Sequence, residues 1–499
     1  MSRFIVVVDA GSTRIRCFVF DEDGRMVVRR SAPWSYLDSG ATSPYARELD
    51  SEAVWRSTAR LVAGCLDDRR VGAGRVAAVT VTSQRQGAVF FDKDGRVLYA
   101  GPNIDLRAVF EGAAIDNEMG ERVFATTGRL PSFLFAPAKL RWFKQHEPDV
   151  YDRTDRVATL ADWLRWELSG ELVSEATLAA EAGLLDVRER RWCTSLLEEL
   201  GVQPGAGVPV ERAGAVAGGV RPEAAGLTGI PEGVPVVVSP ADTQCGLLGL
   251  GVSHAGQVGV VAGWSIPLLK VTSEPVFDSG RRTWTGCYVE EDLWSLESTC
   301  GDAGNAYGWL ADTMWAGEEG PLDRMDRATR EVPAGSEGVL ALLGPPRMDM
   351  SRLGLRSGGF VFPVPMTFGG IGREHMARAA LESIAFAVRA NLEQLEAVSG
   401  TPASSVAVGG GMTASYTWVD MLPDVLGRPV QVSSEPDVTA AGARITAEAA
   451  LDGVDSLVSY AESAAAWHTI EPRAVKSSEY EDHYMRWVEM ARQLESVAE

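Results

Sequence analysis

Two carboxylates stand where apolar strands run out. Asp9 closes the run Ile5-Val6-Val7-Val8 and precedes Ala10-Gly11-Ser12-Thr13, with the cations Arg14 and Arg16 just beyond. A glycine lets backbone amides approach an anion closely, and neighbouring hydroxyls add donors. An acid, a small turn, two hydroxyls and an arginine together suit a nucleotide's phosphates. Amides and hydroxyls would cradle the oxygens, an arginine would neutralise charge, and Asp9 would hold Mg2+ through water. The same residues also suit an ordinary β-hairpin with a polar turn. Asp242 follows strand 234–238 and opens the small-residue run Cys245-Gly246-Leu247-Leu248-Gly249-Leu250-Gly251. At that junction its carboxylate either faces the same cleft as Asp9 or serves as a helix N-cap, the commoner duty of Asp there.

Three further polar stretches lie at strand ends. Ser83-Gln84-Arg85-Gln86-Gly87 closes strand 76–82, and open α/β sheets bind ligands at the carboxyl ends of their strands. Asn103-Ile104-Asp105-Leu106-Arg107 alternates polar and apolar residues just after a strand. It presents polar groups to a ligand or is a surface loop held by an Asp105–Arg107 pair. Gly409-Gly410-Gly411-Met412-Thr413 follows strand 405–408. Three glycines let the backbone lie against a flat ligand or a phosphate, or simply make a tight βα turn.

These residues need a frame. Apolar spacing predicts helices over 52–66, 137–147, 160–170, 373–395, 418–426 and 439–451, and a strand over 430–432. Segments 88–91 and 97–100 flank Asp92-Lys93-Asp94-Gly95 as a hairpin. Residues 257–271 repeat the strand, glycine-containing turn and strand of the opening hairpin without its acid. Two such hairpins, each beginning a run of alternating strands and helices, point to two related α/β domains facing each other. The tail beyond Asp452 reads as acidic helix with isolated aromatics at Trp467 and Trp487.

The chain of 499 residues is too long for one hydrophobic core. Its net charge of -21 repels nucleic acid and anionic membrane alike, so a bound nucleotide must rely on local donors, a few arginines and a metal. Six scattered cysteines without a C-x-x-C pair fit reduced thiols rather than a disulfide framework or a zinc site. Five histidines show no metal-ligand spacing. The first apolar run is too short for a signal peptide and no stretch approaches a membrane span, so a cytoplasmic protein is expected.

Taken in order, these segments resemble the FGGY carbohydrate kinases, of the actin/hexokinase-like superfamily. The resemblance runs from Asp9-Ala-Gly-Ser-Thr-Arg-Ile-Arg16 through the loops at 83–87 and 103–107, and a partial signature at Lys139-Leu-Arg-Trp142. It continues through Ala241-Asp-Thr-Gln-Cys-Gly246, Val261-Ala-Gly-Trp264 and Gly409-Gly-Gly-Met-Thr413. It implies two ribonuclease H-like α/β domains with a cleft between them. Residues 1–250 would bind sugar and phosphate, and residues 251–499 the nucleotide. It implies ATP and Mg2+, with Asp242 as the general base toward a sugar hydroxyl and Asp9 and Asp242 beside the metal. Gly11, Ser12, Thr13, Arg16 and Gly263 would meet the phosphates, Gly410, Gly411 and Met412 the adenosine, and Arg85, Gln86 and Asp105 the sugar.

Several residues depart from the family's patterns. Glycerol kinases carry Arg-Glu where Arg85-Gln86 stands, Trp at Ile104 and Tyr at Leu134, which argues against glycerol. Xylulokinases usually show Met-His at that loop. The second phosphate turn, Ala262-Gly263-Trp264, lacks the usual threonine; it grips phosphate less, or Ser265 supplies the hydroxyl. Asn103-Ile-Asp-Leu-Arg-Ala108, Gly183-Leu-Leu-Asp186 and Leu248-Gly-Leu-Gly-Val252 look most like the family's autoinducer-2 kinase branch. The implied reaction is ATP-dependent phosphorylation of a small ketose, polyol or related linear sugar by a monomer or homodimer. A non-catalytic regulatory relative and an actin-like polymerising ATPase are the competing readings.

Overall fold

The computed structural model describes residues 3–37, 45–201, 207–352, 358–364 and 370–498. Each half of the chain builds one large sheet. In the first, β1 (Phe4–Ala10), β2 (Arg14–Phe20), β3 (Met26–Pro33), β4 (Val76–Ser83), β5 (Val216–Gly219) and β6 (Pro235–Val238) lie in the order β5-β6-β4-β1-β2-β3. In the second, β7 (Gln257–Val261), β8 (Pro267–Thr272), β9 (Trp284–Cys287), β10 (Trp294–Thr299), β11 (Ser405–Gly409), β12 (Val430–Ser433) and β13 (Trp467–Ile470) lie in the order β9-β10-β8-β7-β11-β12-β13.

Without β9 the two sheets share one pattern of strand directions, although the outer strand precedes its neighbour in the chain in the first sheet (β5 before β6) and follows it in the second (β13 after β12). An antiparallel hairpin, β1 with β2 or β7 with β8, meets two parallel strands and then an antiparallel edge. The repeated hairpin in the sequence is therefore the visible trace of a repeated sheet. It begins each half because the two middle strands that follow it run parallel and must return by way of helices.

β1 is buried along its whole length, which explains its unbroken apolar run. Val6 and Val8 face a core shared with helices Ser51–Leu66 and Leu160–Ser169. Ile5 and Val7 face Cys245 of α1 (Asp242–Gly249) and Ala440, Ala443 and Ala447 of α2 (Val438–Asp452). Each buried branched side chain contributes roughly 1.5–3 kcal/mol. Thus α2, from the second half, packs on the sheet of the first. The small-residue pattern makes this possible: a Cβ on Gly442 would fall 1.7 Å from the Cys245 carbonyl oxygen, so the two helices cross backbone to backbone.

The tail differs from a plain acidic helix. It folds as helix Leu457–Ala464, β13 and helix Ala474–Ala498. Trp467, His468 and Thr469 are exposed, so this edge strand carries no alternating apolar pattern. Trp487 is buried in the second core and donates its Nε1–H to the Ala341 carbonyl at 2.9 Å.

Candidate active site

Three neighbouring parallel strands, β1, β4 and β6, end at one edge of the first sheet. Asp9 lies opposite Thr82, and Val238 opposite Val81. Asp9, Arg85 and Asp242 therefore emerge side by side, from the carboxyl ends where ligands collect in such sheets. Gln84 stitches the edge together. Its amide donates to the Ala10 carbonyl at 2.9 Å, and its Oε1 accepts the Asn103 amide at 3.0 Å. Asn103 Nδ2 then donates to the exposed Ser12 hydroxyl at 3.0 Å, with exposed Thr13 beside it.

Asp242 is the first residue of α1, one position past the N-cap Ala241. It is therefore not the cap. Its Oδ1 accepts the Thr243 amide at 2.7 Å and the Thr243 hydroxyl at 3.2 Å. Although part of Asp242 reaches solvent, burial pushes its carboxyl up to about 7; Arg85 pulls it down and Asp9 pushes it further up. A carboxyl poised there can accept a proton near neutral pH.

Asp9 is fully buried. Its Oδ2 pairs with Arg16, while its Oδ1 has no hydrogen-bond partner among the described residues. Burial lifts its carboxyl above the ordinary value, against the pull of Arg16. An unpartnered carboxylate oxygen close enough to Asp242 to raise it suits a divalent cation whose other ligands are water and phosphate oxygen. Arg16, expected on phosphate, is committed to two carboxylates: besides Asp9 it holds Asp437, the N-cap of α2, through Nη1 at 2.6 Å.

The expected sugar residues divide. Arg85 reaches across to β10 and pairs bidentately with Glu297, Nη2 to Oε1 at 2.8 Å. Gln86, at φ 62, donates Nε2 to Glu181 Oε2 at 3.1 Å. Asp105 is put to a different use. Its carboxylate is fully buried and accepts from the Tyr99 hydroxyl, from Arg107 Nε at 2.8 Å and from the Arg47 amide at 2.9 Å. The Asp105–Arg107 pair exists, and it is a buried latch rather than a surface one.

In the second half the two glycine turns abut. The Ala262 amide donates to the Gly409 carbonyl at 2.7 Å, and the Met412 amide returns to the Ala262 carbonyl at 2.9 Å. Gly410 needs its φ of 111 here, and a Cβ would fall 2.7 Å from the Ala262 carbonyl oxygen. Gly411 stands exposed in open space, while the Met412 side chain joins the core. The Gly263 amide is taken within its own turn by the Val261 and Ser265 carbonyls, both at 3.1 Å. Trp264 beside it is 60% exposed.

Models of the FGGY family of carbohydrate kinases match this chain over residues 4–249, as the N-terminal domain, and 259–451, as the C-terminal domain. The chain belongs to that family. This FGGY kinase is 28% identical to an autoinducer-2 kinase of Klebsiella pneumoniae, over 97% of this chain and 93% of that one. It is 26% identical to the solved xylulose kinase of Rhodospirillum rubrum, covering 99% of each chain at a TM-score of 0.84. The gluconate kinase of Lactobacillus acidophilus shares the fold at a TM-score of 0.85, with 18% identity over 99% of this chain and 98% of that one. The protein is thus a phosphotransferase that uses ATP to phosphorylate a sugar, on the two-domain actin/hexokinase-like fold. Among the described residues no helix is long and apolar enough to cross a membrane.

Four charged residues of this kinase's site are silent in sequence: Arg129, Glu181, Glu297 and Asp437. Their partners lie far along the chain, as Arg16 and Asp437 show at a separation of 421 residues. The one local signal is a glutamate inside the buried strand Trp294-Ser-Leu-Glu-Ser-Thr. A charge at such a position requires a partner.

Proposed function

We propose that this kinase transfers the γ-phosphoryl group of ATP to a hydroxyl of a small linear ketose-type sugar, with Asp242 as general base. The observation that carries this reading is the single sheet edge bearing Asp9, Arg85 and Asp242, with the Asp242 carboxyl raised to about 7. Asp242 takes the acceptor hydroxyl's proton as that oxygen attacks phosphorus. Ser12, Thr13 and the Gly11 turn receive phosphate oxygens. Arg16 acts through Asp9, fixing its carboxylate by one oxygen and leaving the other without a protein partner among the described residues. Asp9 and Asp242 would hold Mg2+, which would supply charge neutralisation on the phosphates. Residues 1–250 carry the sugar and phosphate side, and residues 251–499 the adenosine, against the Gly410-Gly411-Met412 turn. Closing the halves excludes water, so the sugar rather than solvent accepts the phosphoryl group.

Arg85 and Gln86 form the sugar-facing loop. Autoinducer-2 is the first acceptor to test, because it is the compound named in a relative that matches over nearly the whole chain. The experiment is ADP release with ATP and Mg2+ across ketopentoses, ketohexoses, polyols, glycerol and the autoinducer-2 precursor. One strong responder among the small ketoses or the precursor supports the reading. A response to glycerol alone, or none with ATP binding intact, contradicts it.

A further inference from the structure

Arg85 belongs to a closed set of four buried charges. Its side chain is 12% exposed and its guanidinium faces Glu297, whose side chain is 2% exposed, in the bidentate pair. Nη1 also lies 3.6 Å from Glu181 Oε1. Arg129, 1% exposed, donates Nη2 to that same Glu181 oxygen at 2.6 Å, and its Nη1 lies 3.7 Å from Glu297 Oε2. Both guanidinium groups stand near the Trp284 ring, 5.9 and 5.1 Å from its centroid. Two cations and two anions cancel. Burial pulls the Glu297 carboxyl up, but Arg85 and Arg129 outweigh it and hold the group below its ordinary value, charged at neutral pH. The arginine at the mouth of the sugar loop is therefore already neutralised, from the other half of the molecule.

We propose that Glu297 is a specificity-determining residue: by neutralising Arg85 it makes the acceptor site one for uncharged polyhydroxy compounds and against sugars that carry a carboxylate. The proposal rests on the reading of Arg85 and Asp242 as the acceptor site. An arginine has five N–H donors, and the bidentate pair uses two. The remaining donors suit hydroxyl and carbonyl oxygens of a neutral sugar. A carboxylate could claim Arg85 only by drawing it off Glu297, leaving a buried anion uncompensated. It would also approach the carboxylates of Asp9 and Asp242, and like charges brought together at a binding site are strongly rejected. Glu297 acts through Arg85, so it is a positioning residue.

The test compares kcat/KM on the full-length enzyme for uncharged acceptors (xylulose, ribulose and the autoinducer-2 precursor) with that for gluconate. Wild type is expected to favour the best uncharged acceptor by about a hundredfold or more. In Glu297→Gln the uncovered Arg85 seeks an anion, and this preference shrinks by at least about tenfold, mainly through KM. Glu297→Asp keeps the charge and the wild-type preference. Wild-type turnover of gluconate within about tenfold of the best uncharged acceptor overturns the proposal, as does an unchanged ratio in Glu297→Gln. If that variant does not fold, Glu181→Gln decides by a smaller shift in the same direction, and no shift there counts against the proposal. Silence of wild type with every acceptor is a different failure: it removes the acceptor-site reading beneath.

Discussion

Arg16 Nη1 donates to Asp437 Oδ2 at 2.6 Å while Nη2 holds Asp9, so one guanidinium joins the carboxyl-end edge of the first sheet to the N-cap of the helix that crosses from the second half. The site and the junction between halves share this residue. Asp9 is buried, and without Arg16 only the weaker pull of Arg29 opposes the cost of its charge. Arg16→Gln is expected to cost about 3 kcal/mol at pH 8, because breaking a buried pair leaves an uncompensated charge. The cost depends on pH. Losing Arg16 raises the folded-state pKa of Asp9 further above its unfolded value of about 3.9. Stability linked to a raised carboxyl is present at low pH and is lost as pH rises toward the folded pKa. Urea unfolding at pH 5 and pH 8 checks this: the deficit should be smaller at pH 5, and an equal deficit at both would remove Asp9 as the cause.

Asp105→Asn separates latch from ligand. With its carboxylate buried against Tyr99, Arg107 and the Arg47 amide, the substitution should lower stability by about 2–4 kcal/mol. KM for the sugar should stay within about threefold of wild type. A raised KM with an unchanged Tm would return Asp105 to the sugar.

These residues show what sequence can and cannot carry. Asp9 and Asp242 are legible because strand, acid and turn are contiguous, and local pattern dictates all three. The two-sheet plan is legible through one repeated hairpin. Asp105 misleads because its neighbours in sequence, Ile104 and Leu106, resemble a ligand loop, while Tyr99 and the Arg47 amide come to it only through tertiary packing. Glu297 shows only that a charge inside a buried strand needs a partner; which partner stays hidden, since Arg85 lies 212 residues away. The edge strand β13 escapes because exposed edges need no apolar alternation.

The pH profile follows from Asp242. Its carboxyl, lifted to about 7 by burial, must lose its proton before it can accept one. At subsaturating ATP, kcat/KM should therefore rise with pH up to about 7 and flatten above it. Arg85 pulls the same carboxyl down, so Arg85→Gln should move the rise to higher pH. A profile flat from about pH 5.5 to 8, or a shift downward in the variant, contradicts the assignment.

Gly410 joins the two turns of the second half, with φ at 111 and no room for a Cβ beside the Ala262 carbonyl. Gly410→Ala must distort the turn. KM for ATP is expected to rise by about tenfold or more while KM for the sugar holds. Equal increases in both would indicate damage to the whole second half rather than to the adenosine side.

The most direct measurement is turnover and ATP affinity of Asp242→Asn, with the best acceptor found for the wild type. The amide keeps the shape of the side chain and cannot take a proton. kcat should fall by about 10²–10⁴, with the Kd for ATP within about threefold of wild type and a Tm no lower than wild type. A variant that retains turnover within about tenfold of wild type would reduce Asp242 to a structural group at the start of its helix, and the general-base account would fall with it.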